Sequence, residues 1–242
     1  MDYLGEIIAL FEKVRSTQRE GIERAAQVMA EAILKDHLVF VFGASHAGIL
    51  AQELFYRAGG LVPVNPVLPP GLVTDVRPAT LTSRLERMAG LGTEIGAESP
   101  IEAGDVLIVH SVSGRNAAAV EFALGAQQRG AFVIALTSVG YSSSVRPRQD
   151  GMPRLYEMAD LVLDNRAPTG DAVVALPGLA QRVGPSSTVT GAAILNAIVV
   201  RVAELLLDRT GDPPIFMSAN LDGGDAFNQR WLNHYKGRLT YL

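Results

Sequence analysis

A chain of 242 residues is long for one small domain and short for two, which favours a single α/β domain with elaborations. Its 21 basic and 25 acidic side chains leave a formal charge of −4, against a sequence-independent nucleic-acid binder, and without cysteine there is no disulfide, thiolate nucleophile or Cys-ligated metal. With 48% hydrophobic and 19% charged residues, the chain has material for a real core and too much of it for disorder.

The opening stretch, MDYLGEIIALFEKVRS, mixes acidic with apolar residues and has no basic n-region, so it does not read as a signal peptide. Leu4, Ile7, Ile8, Phe11 and Val14, then Ile22, Ala25, Ala26, Val28, Met29 and Ile33, recur at helical spacing. They predict one or two amphipathic helices over residues 1–36, with a break near Gly21. The apolar run at 38–42 meets a glycine-containing turn, and a 3.6-residue period then continues through Leu50, Leu54 and Tyr56 to Gly59 and Gly60. That is strand, tight loop and helix.

The pattern recurs. A strand at 105–110 enters a Ser/Gly turn, a helix runs over about 116–129, and a strand follows Gly130. LYEMADLVLDN predicts a short helix and another strand. The most apolar stretch, 191–207, is interrupted by Asn196, Arg201 and Glu204 and predicts a buried helix rather than a membrane span. Strands alternating with helices predict a parallel sheet covered on both faces. Three segments break this pattern: the proline-rich stretch 62–90, the basic loop YSSSVRPRQDG at 141–151, and the tail at 210–242 with its only Trp and its Asp-Gly-Gly-Asp cluster. With no internal repeat and no low-complexity linker, residues 1–242 are expected to form one soluble, cytoplasmic domain.

In an open parallel sheet, ligands bind at the carboxyl ends of strands, where helix N-termini offer free N–H groups. Three turns have the composition for this: Gly43-Ala44-Ser45-His46-Ala47-Gly48, Ser111-Val112-Ser113-Gly114-Arg115-Asn116, and Gly184-Pro185-Ser186-Ser187-Thr188. The first lacks both the full G-x-G-x-x-G fingerprint and a Walker lysine. The second alternates two hydroxyls before a glycine and a polar helix start, a compact anion cradle. For each turn, ordinary helix capping by Ser or Thr is the plain alternative.

The run DVLIVHSVSGRNAAAVEFALGAQQRGAFVIALTS resembles the core of the SIS (sugar isomerase) domain family, whose signature is strand, S-x-S-G-x-[TN], helix, glycine, strand. The likeness extends to VFVFGASHAGILAQELFYRAGG, to LYEMADLVLDN and to PSSTVTGAAILNAI, so it covers residues 38–207, with 1–36 as an N-terminal helical segment. The NRAPTGDA and SANLDGGD segments make the whole most similar to single-domain SIS proteins described as phosphosugar or phosphoheptose isomerases. The resemblance implies a flavodoxin-like, three-layer α-β-α sandwich with a five-stranded parallel sheet, and a phosphorylated sugar as ligand. It implies that Ser111, Ser113, Asn116 and the Gly114 backbone hold the phosphate, with Ser45 from the first turn and Ser187 and Thr188 from the last. The first turn departs from the family pattern, since Gly43-Ala44-Ser45 is two residues shorter than G-x-G-x-S.

Aldose–ketose isomerisation needs a base that moves a proton between C1 and C2 and an acid that opens the ring. Glu53, eight residues after Ser45 on the first helix, is the candidate base, against an ion pair with Arg57 at i+4. His46 in the first turn is the second candidate, suited to proton transfer near neutral pH. His110 reads as a core histidine with its hydrogen bonds met, and His37 as structural. Asp171, Asp222, Asn228 and His234 are candidate sugar contacts, and Lys236 is the one lysine placed for Schiff-base chemistry. No metal-ligand spacing such as H-E-x-x-H occurs, so neither metal nor cofactor is expected. The expected activity is isomerisation of a sugar phosphate. Lyase or deaminase chemistry on the same fold and a non-catalytic sugar-phosphate sensor are the alternatives. The resemblance further implies a homodimer, or a tetramer, while the negative charge and the interrupted apolar stretch leave neither nucleic acid nor membrane as an expected partner.

Overall fold

The computed structural model describes residues 2–242. The apolar runs form five parallel strands, β1 (Val39–Gly43), β2 (Val64–Val67), β3 (Val106–His110), β4 (Phe132–Thr137) and β5 (Leu161–Asp164), in the order β2-β1-β3-β4-β5. Alternate residues point to opposite faces of a strand, and both faces here are covered. Val39, Val41, Val106, Ile108, Ile134 and Leu136 enter one layer of core, and Phe40, Phe42, Leu107, Val109, Val133 and Ala135 the other. This is why the strands read as continuous apolar runs.

The first layer is built by α1 (Tyr3–Thr17), α2 (Arg19–Leu34), α3 (Ile49–Leu54) and α9 (Ser187–Thr210). The second contains α4 (Thr80–Leu85), α5 (Leu91–Glu98), α6 (Ala117–Gln128), α8 (Leu155–Met158) and α10 (Gly224–His234), while the short α7 (Val139–Ser143) follows β4 directly. Phe42 and Phe122 meet edge to face at 5.0 Å, locking α6 onto the sheet. Among the described residues α9 alone is long and apolar enough to cross a membrane, yet Ile194, Leu195, Ile198, Val202 and Leu206 are buried against the sheet and α2. It is the central helix of the first layer.

Four local expectations are corrected. The first two helices break at Gln18, whose side-chain Oε1 accepts the Asp164 N–H at 2.9 Å, while Gly21 lies inside α2 against Leu163. The helix after β1 starts as a 3₁₀ turn (Ser45–Gly48) and stops at Leu54, where Phe55 becomes extended and Tyr56 takes φ +42°. The proline-rich stretch supplies β2, an edge strand, where the missing N–H of Pro66 is tolerated. Finally, β6 (Ala172–Val174) and β7 (Val183–Pro185) form a small antiparallel pair before α9.

Candidate functional site

Gly43 and His110, the last residues of β1 and β3, are register partners. The strand order reverses between these two strands, so the chain leaves them in opposite directions and opens a crevice at their carboxyl ends. That crevice is a cleft of about 280 Å³ lined by Ser45, His46, Glu86, His110, Ser111, Ser113, Asn116, Tyr141 and Asp171, among others. Segments far apart in sequence meet there.

Its first wall is the turn after β1. A Cβ on Gly43 would collide with the Ala47 carbonyl, so the turn closes only with glycine at that position. Ser45 adopts φ +54°, and its N–H donates to the Leu72 carbonyl at 2.7 Å. Asp171, on the opposite wall, has φ +69°. Left-handed backbone in residues other than glycine is strained and gathers at functional sites. The Ser45 hydroxyl is enclosed and without a hydrogen-bond partner, while His46 stands exposed at the rim.

The second wall is the Ser-rich turn after β3. Its Gly114 takes φ +58° and donates its N–H to the Ser111 carbonyl at 3.1 Å, so that amide closes the turn instead of facing a ligand. The turn is anchored to the end of β4, where the Ser138 N–H and the Thr137 hydroxyl both donate to the Val112 carbonyl at 3.1 Å. Asn116 caps α6 by position but its side chain accepts no bond from the first-turn N–H groups, and it sets the N-terminus of this twelve-residue helix at the cleft. Ser111 and Ser113 line the cleft together with Asn116, beside the N-terminus of α6.

The floor is His110, which is buried. Its Nδ1 lies 3.1 Å from the Ala47 carbonyl, an acceptor only, so Nδ1 carries the proton and Nε2 keeps its lone pair. That Nε2 has no partner. The expectation of a core histidine with all hydrogen bonds met therefore holds for one nitrogen only. Burial, with a smaller opposing effect from the Ala47 bond and the Asp171 carboxylate, pushes the imidazole pKa down to about 4. A folded-state pKa below the unfolded value gives stability that is complete above about pH 6.5 and is lost as pH falls toward 4, a change of about 3 kcal/mol. Urea unfolding between pH 7 and 4 is expected to show this loss, and His110→Asn to flatten it. An unchanged slope in the variant would assign the loss to other groups.

Glu86 is the residue that the sequence did not single out. It follows α4, and its carbonyl accepts the Ala118 N–H at 3.1 Å, which fixes the end of α4 to the start of α6 and holds the Glu86 side chain at the cleft. Burial raises its pKa against the lowering effects of Arg87, Asn116 and Arg148. The cleft thus holds a neutral imidazole and a carboxyl group of raised proton affinity.

The remaining candidates lie as follows. Asp171 accepts from the N–H and hydroxyl of both Ser186 and Ser187, with Ser187 Oγ at 2.8 Å, so its carboxylate occupies the N-terminus of α9 and the Ser187 hydroxyl is engaged. Thr188 does not line the cleft. The Glu53 carboxylate is ion-paired with Arg57 and accepts from Asn196 Nδ2 at 3.1 Å, outside the cleft lining. Asp222 is exposed in the tail, and Asn228 bridges the Met217 N–H and carbonyl at 2.8 and 2.9 Å. His234 pairs with Asp36 Oδ1 at 3.1 Å, just before β1 and therefore at the opposite end of the sheet.

Solved structures with the same fold include a phosphoheptose isomerase from Francisella tularensis (TM-score 0.55, 16% identity, covering 84% of this chain and 95% of that one). A protein of E. coli CFT073, solved in complex with a phosphosugar, is comparable (TM-score 0.53, 18% identity, 84% and 87% covered). At these identities the likeness concerns the fold. In sequence, a UPF0309 protein of Shouchella clausii is 46% identical over 232 residues, 95% of this chain and 94% of its own length. A UPF0309 protein of Streptomyces coelicolor is 40% identical over 240 residues, 99% and 96% of the two chains. The family model of the SIS domain matches residues 2–138, a span that contains β1, the Ser-rich turn and, among the titratable groups at the cleft, Glu86 and His110. With that match over more than half its length, and with relatives alike from end to end, the chain belongs to the SIS domain family alongside the UPF0309 proteins.

Proposed function

We propose that the cleft binds a phosphorylated sugar and that the protein is an aldose–ketose isomerase. The observation that carries this reading is the meeting, in one cleft, of an anion-binding turn and two groups of opposite proton character, His110 and Glu86. The phosphate is assigned to Ser111, Ser113 and the N-terminus of α6, as the hydroxyls and helix dipole there favour an anion. The E. coli neighbour, with its bound phosphosugar, supports the ligand class.

In this reading Glu86 as carboxylate takes the proton from C2 of the open-chain aldose and returns it to C1. Its raised pKa makes it a stronger base than an ordinary carboxylate. Nε2 of His110 accepts the proton of the O2 hydroxyl and delivers it to O1. An imidazolium with a pKa of about 4 gives the proton up readily, so the group serves as a transient carrier. One C–H bond breaks and one forms, one O–H proton moves, and no oxidant or cofactor enters. Ring opening is assigned to His46 at the rim, and Glu53 is given no step because its carboxylate is already engaged. No lysine lines the cleft among the described residues, which favours isomerisation over Schiff-base deamination.

A charged, phosphorylated substrate is retained inside cells, so a cytoplasmic location goes with this reading. Leu4 and Ile8 on α1 and Val200 and Leu207 on α9 are exposed apolar side chains that support a homodimer. The test of the function is a thermal-shift screen against sugar phosphates of five to seven carbons, with free sugars, amino-sugar phosphates and nucleotides as controls. A ligand at 100 times its Kd is expected to stabilise the fold by about 2.7 kcal/mol. Ser113→Ala should remove that shift without lowering the ligand-free melting temperature. A response to nucleotides alone, or to nothing, would return the turns to the role of helix caps.

A further inference from the structure

Three arginines from distant parts of the chain converge just outside the cleft. Arg87 follows α4, Arg115 belongs to the Ser-rich turn, and Arg148 comes from the loop after α7. Arg148 Nε donates to Asn116 Oδ1 at 3.3 Å, and its backbone N–H donates to the Arg115 carbonyl at 3.3 Å. Asn116 and Glu86 line the cleft, so the Arg148 guanidinium stands immediately behind its wall. Partial burial and the nearby charges of Arg115 and Arg87 lower the pKa of Arg148.

None of the three lies within 4.0 Å of a carboxylate oxygen among the described residues. Eight other arginines do, in a chain whose formal charge is −4. The carboxyl group that feels Arg87 and Arg148 is Glu86, itself held in the cleft wall. Three like charges gathered around one partly buried carboxyl group still repel, and such a cluster is stabilised by an anion from outside. The three arginines are not part of the cleft lining. A ligand seated on the serines reaches them only with a group that projects past Asn116 and Glu86. Guanidinium forks suit phosphate and carboxylate equally, as both offer paired oxygens.

We propose that Arg87, Arg115 and Arg148 bind a second anionic group of the substrate, so that the preferred ligand is a sugar phosphate that also carries a distal phosphate or carboxylate. This rests on the reading of the cleft as a phosphosugar site. The experiment is isothermal titration of the full chain at constant ionic strength with matched pairs. Ribose 5-phosphate is set against ribulose 1,5-bisphosphate, and fructose 6-phosphate against fructose 1,6-bisphosphate and 6-phosphogluconate. One charge-assisted contact predicts that the doubly anionic member of a pair binds about tenfold or more tightly. The double variant Arg87→Met/Arg148→Met, whose exposed positions leave the core untouched, is expected to abolish that preference and keep monophosphate affinity.

Monophosphates that bind as tightly as their doubly anionic partners overturn the proposal and leave the phosphosugar reading standing. A variant that loses affinity for both members equally also overturns it, since the arginines would then hold the first phosphate. Failure of every sugar phosphate to bind overturns both together. Comparing the bisphosphate with 6-phosphogluconate identifies which anion the arginines prefer.

Discussion

His110→Asn is expected to lower kcat by about 10²–10⁴-fold while leaving the affinity for the sugar phosphate within a few-fold. Asparagine keeps an N–H donor at the δ position, so the bond to the Ala47 carbonyl and the turn after β1 remain, and only the lone pair at Nε2 is removed. The phosphate contacts assigned to Ser111 and Ser113 do not involve this nitrogen, and binding is therefore spared. The readout is isomerisation followed by NMR with the sugar phosphate that responds in the thermal screen. Alongside it, incorporation of solvent deuterium at C1 or C2 is measured. Loss of turnover with a retained thermal shift assigns His110 to proton transfer. Wild-type turnover in the variant would reduce His110 to a structural residue and remove the carrier step. The acid limb of the parent protein's activity should follow protonation of Glu86, whose pKa burial raises, and not His110, whose imidazole keeps its lone pair down to a pKa of about 4.

Local pattern carried much of the fold, and the cleft only in outline. β1, β3 and β4 were legible because strands covered on both faces must be apolar at every position. β2 was not, because four residues with a central proline become a strand only by pairing with β1 at the sheet edge. The Ser-rich turn and His110 were visible as residues that end a strand, but which nitrogen of His110 is bonded depends on the Ala47 carbonyl, 63 positions away in sequence. Glu86 gave no signal. It sits in a stretch whose prolines obscure periodicity, and it reaches the cleft through the bond from the Ala118 N–H to its own carbonyl. The three arginines are equally silent in sequence, since only the tertiary fold brings positions 87, 115 and 148 to one lip. In the tail, Asn228 shows the converse: a residue type suited to sugar contact is spent on the Met217 backbone.

Asp171→Ala is the second change of large expected effect, at about 2–4 kcal/mol of stability and a melting temperature lower by about 4–16 °C. The Asp171 carboxylate accepts the N–H groups of Ser186 and Ser187 at 3.0 and 2.7 Å and their hydroxyls at 3.2 and 2.8 Å. Ser186 keeps the Asp171 backbone carbonyl as acceptor for its N–H and hydroxyl, at 3.2 and 2.9 Å, but Ser187 is buried, so water cannot replace its lost acceptor and its N–H and hydroxyl at the start of the longest helix are left unmet. Alanine also tolerates the φ of +69° less well than aspartate does. Asp171→Asn separates backbone from charge, because asparagine accepts the left-handed conformation and keeps one side-chain oxygen. It should recover part of the stability. If the Asn variant also regains the ligand-induced thermal shift, Asp171 acts only as the cap of α9. If stability returns and the shift does not, the carboxylate that faces His110 across the cleft takes part in holding the sugar, and the helix cap and the ligand site are then one group.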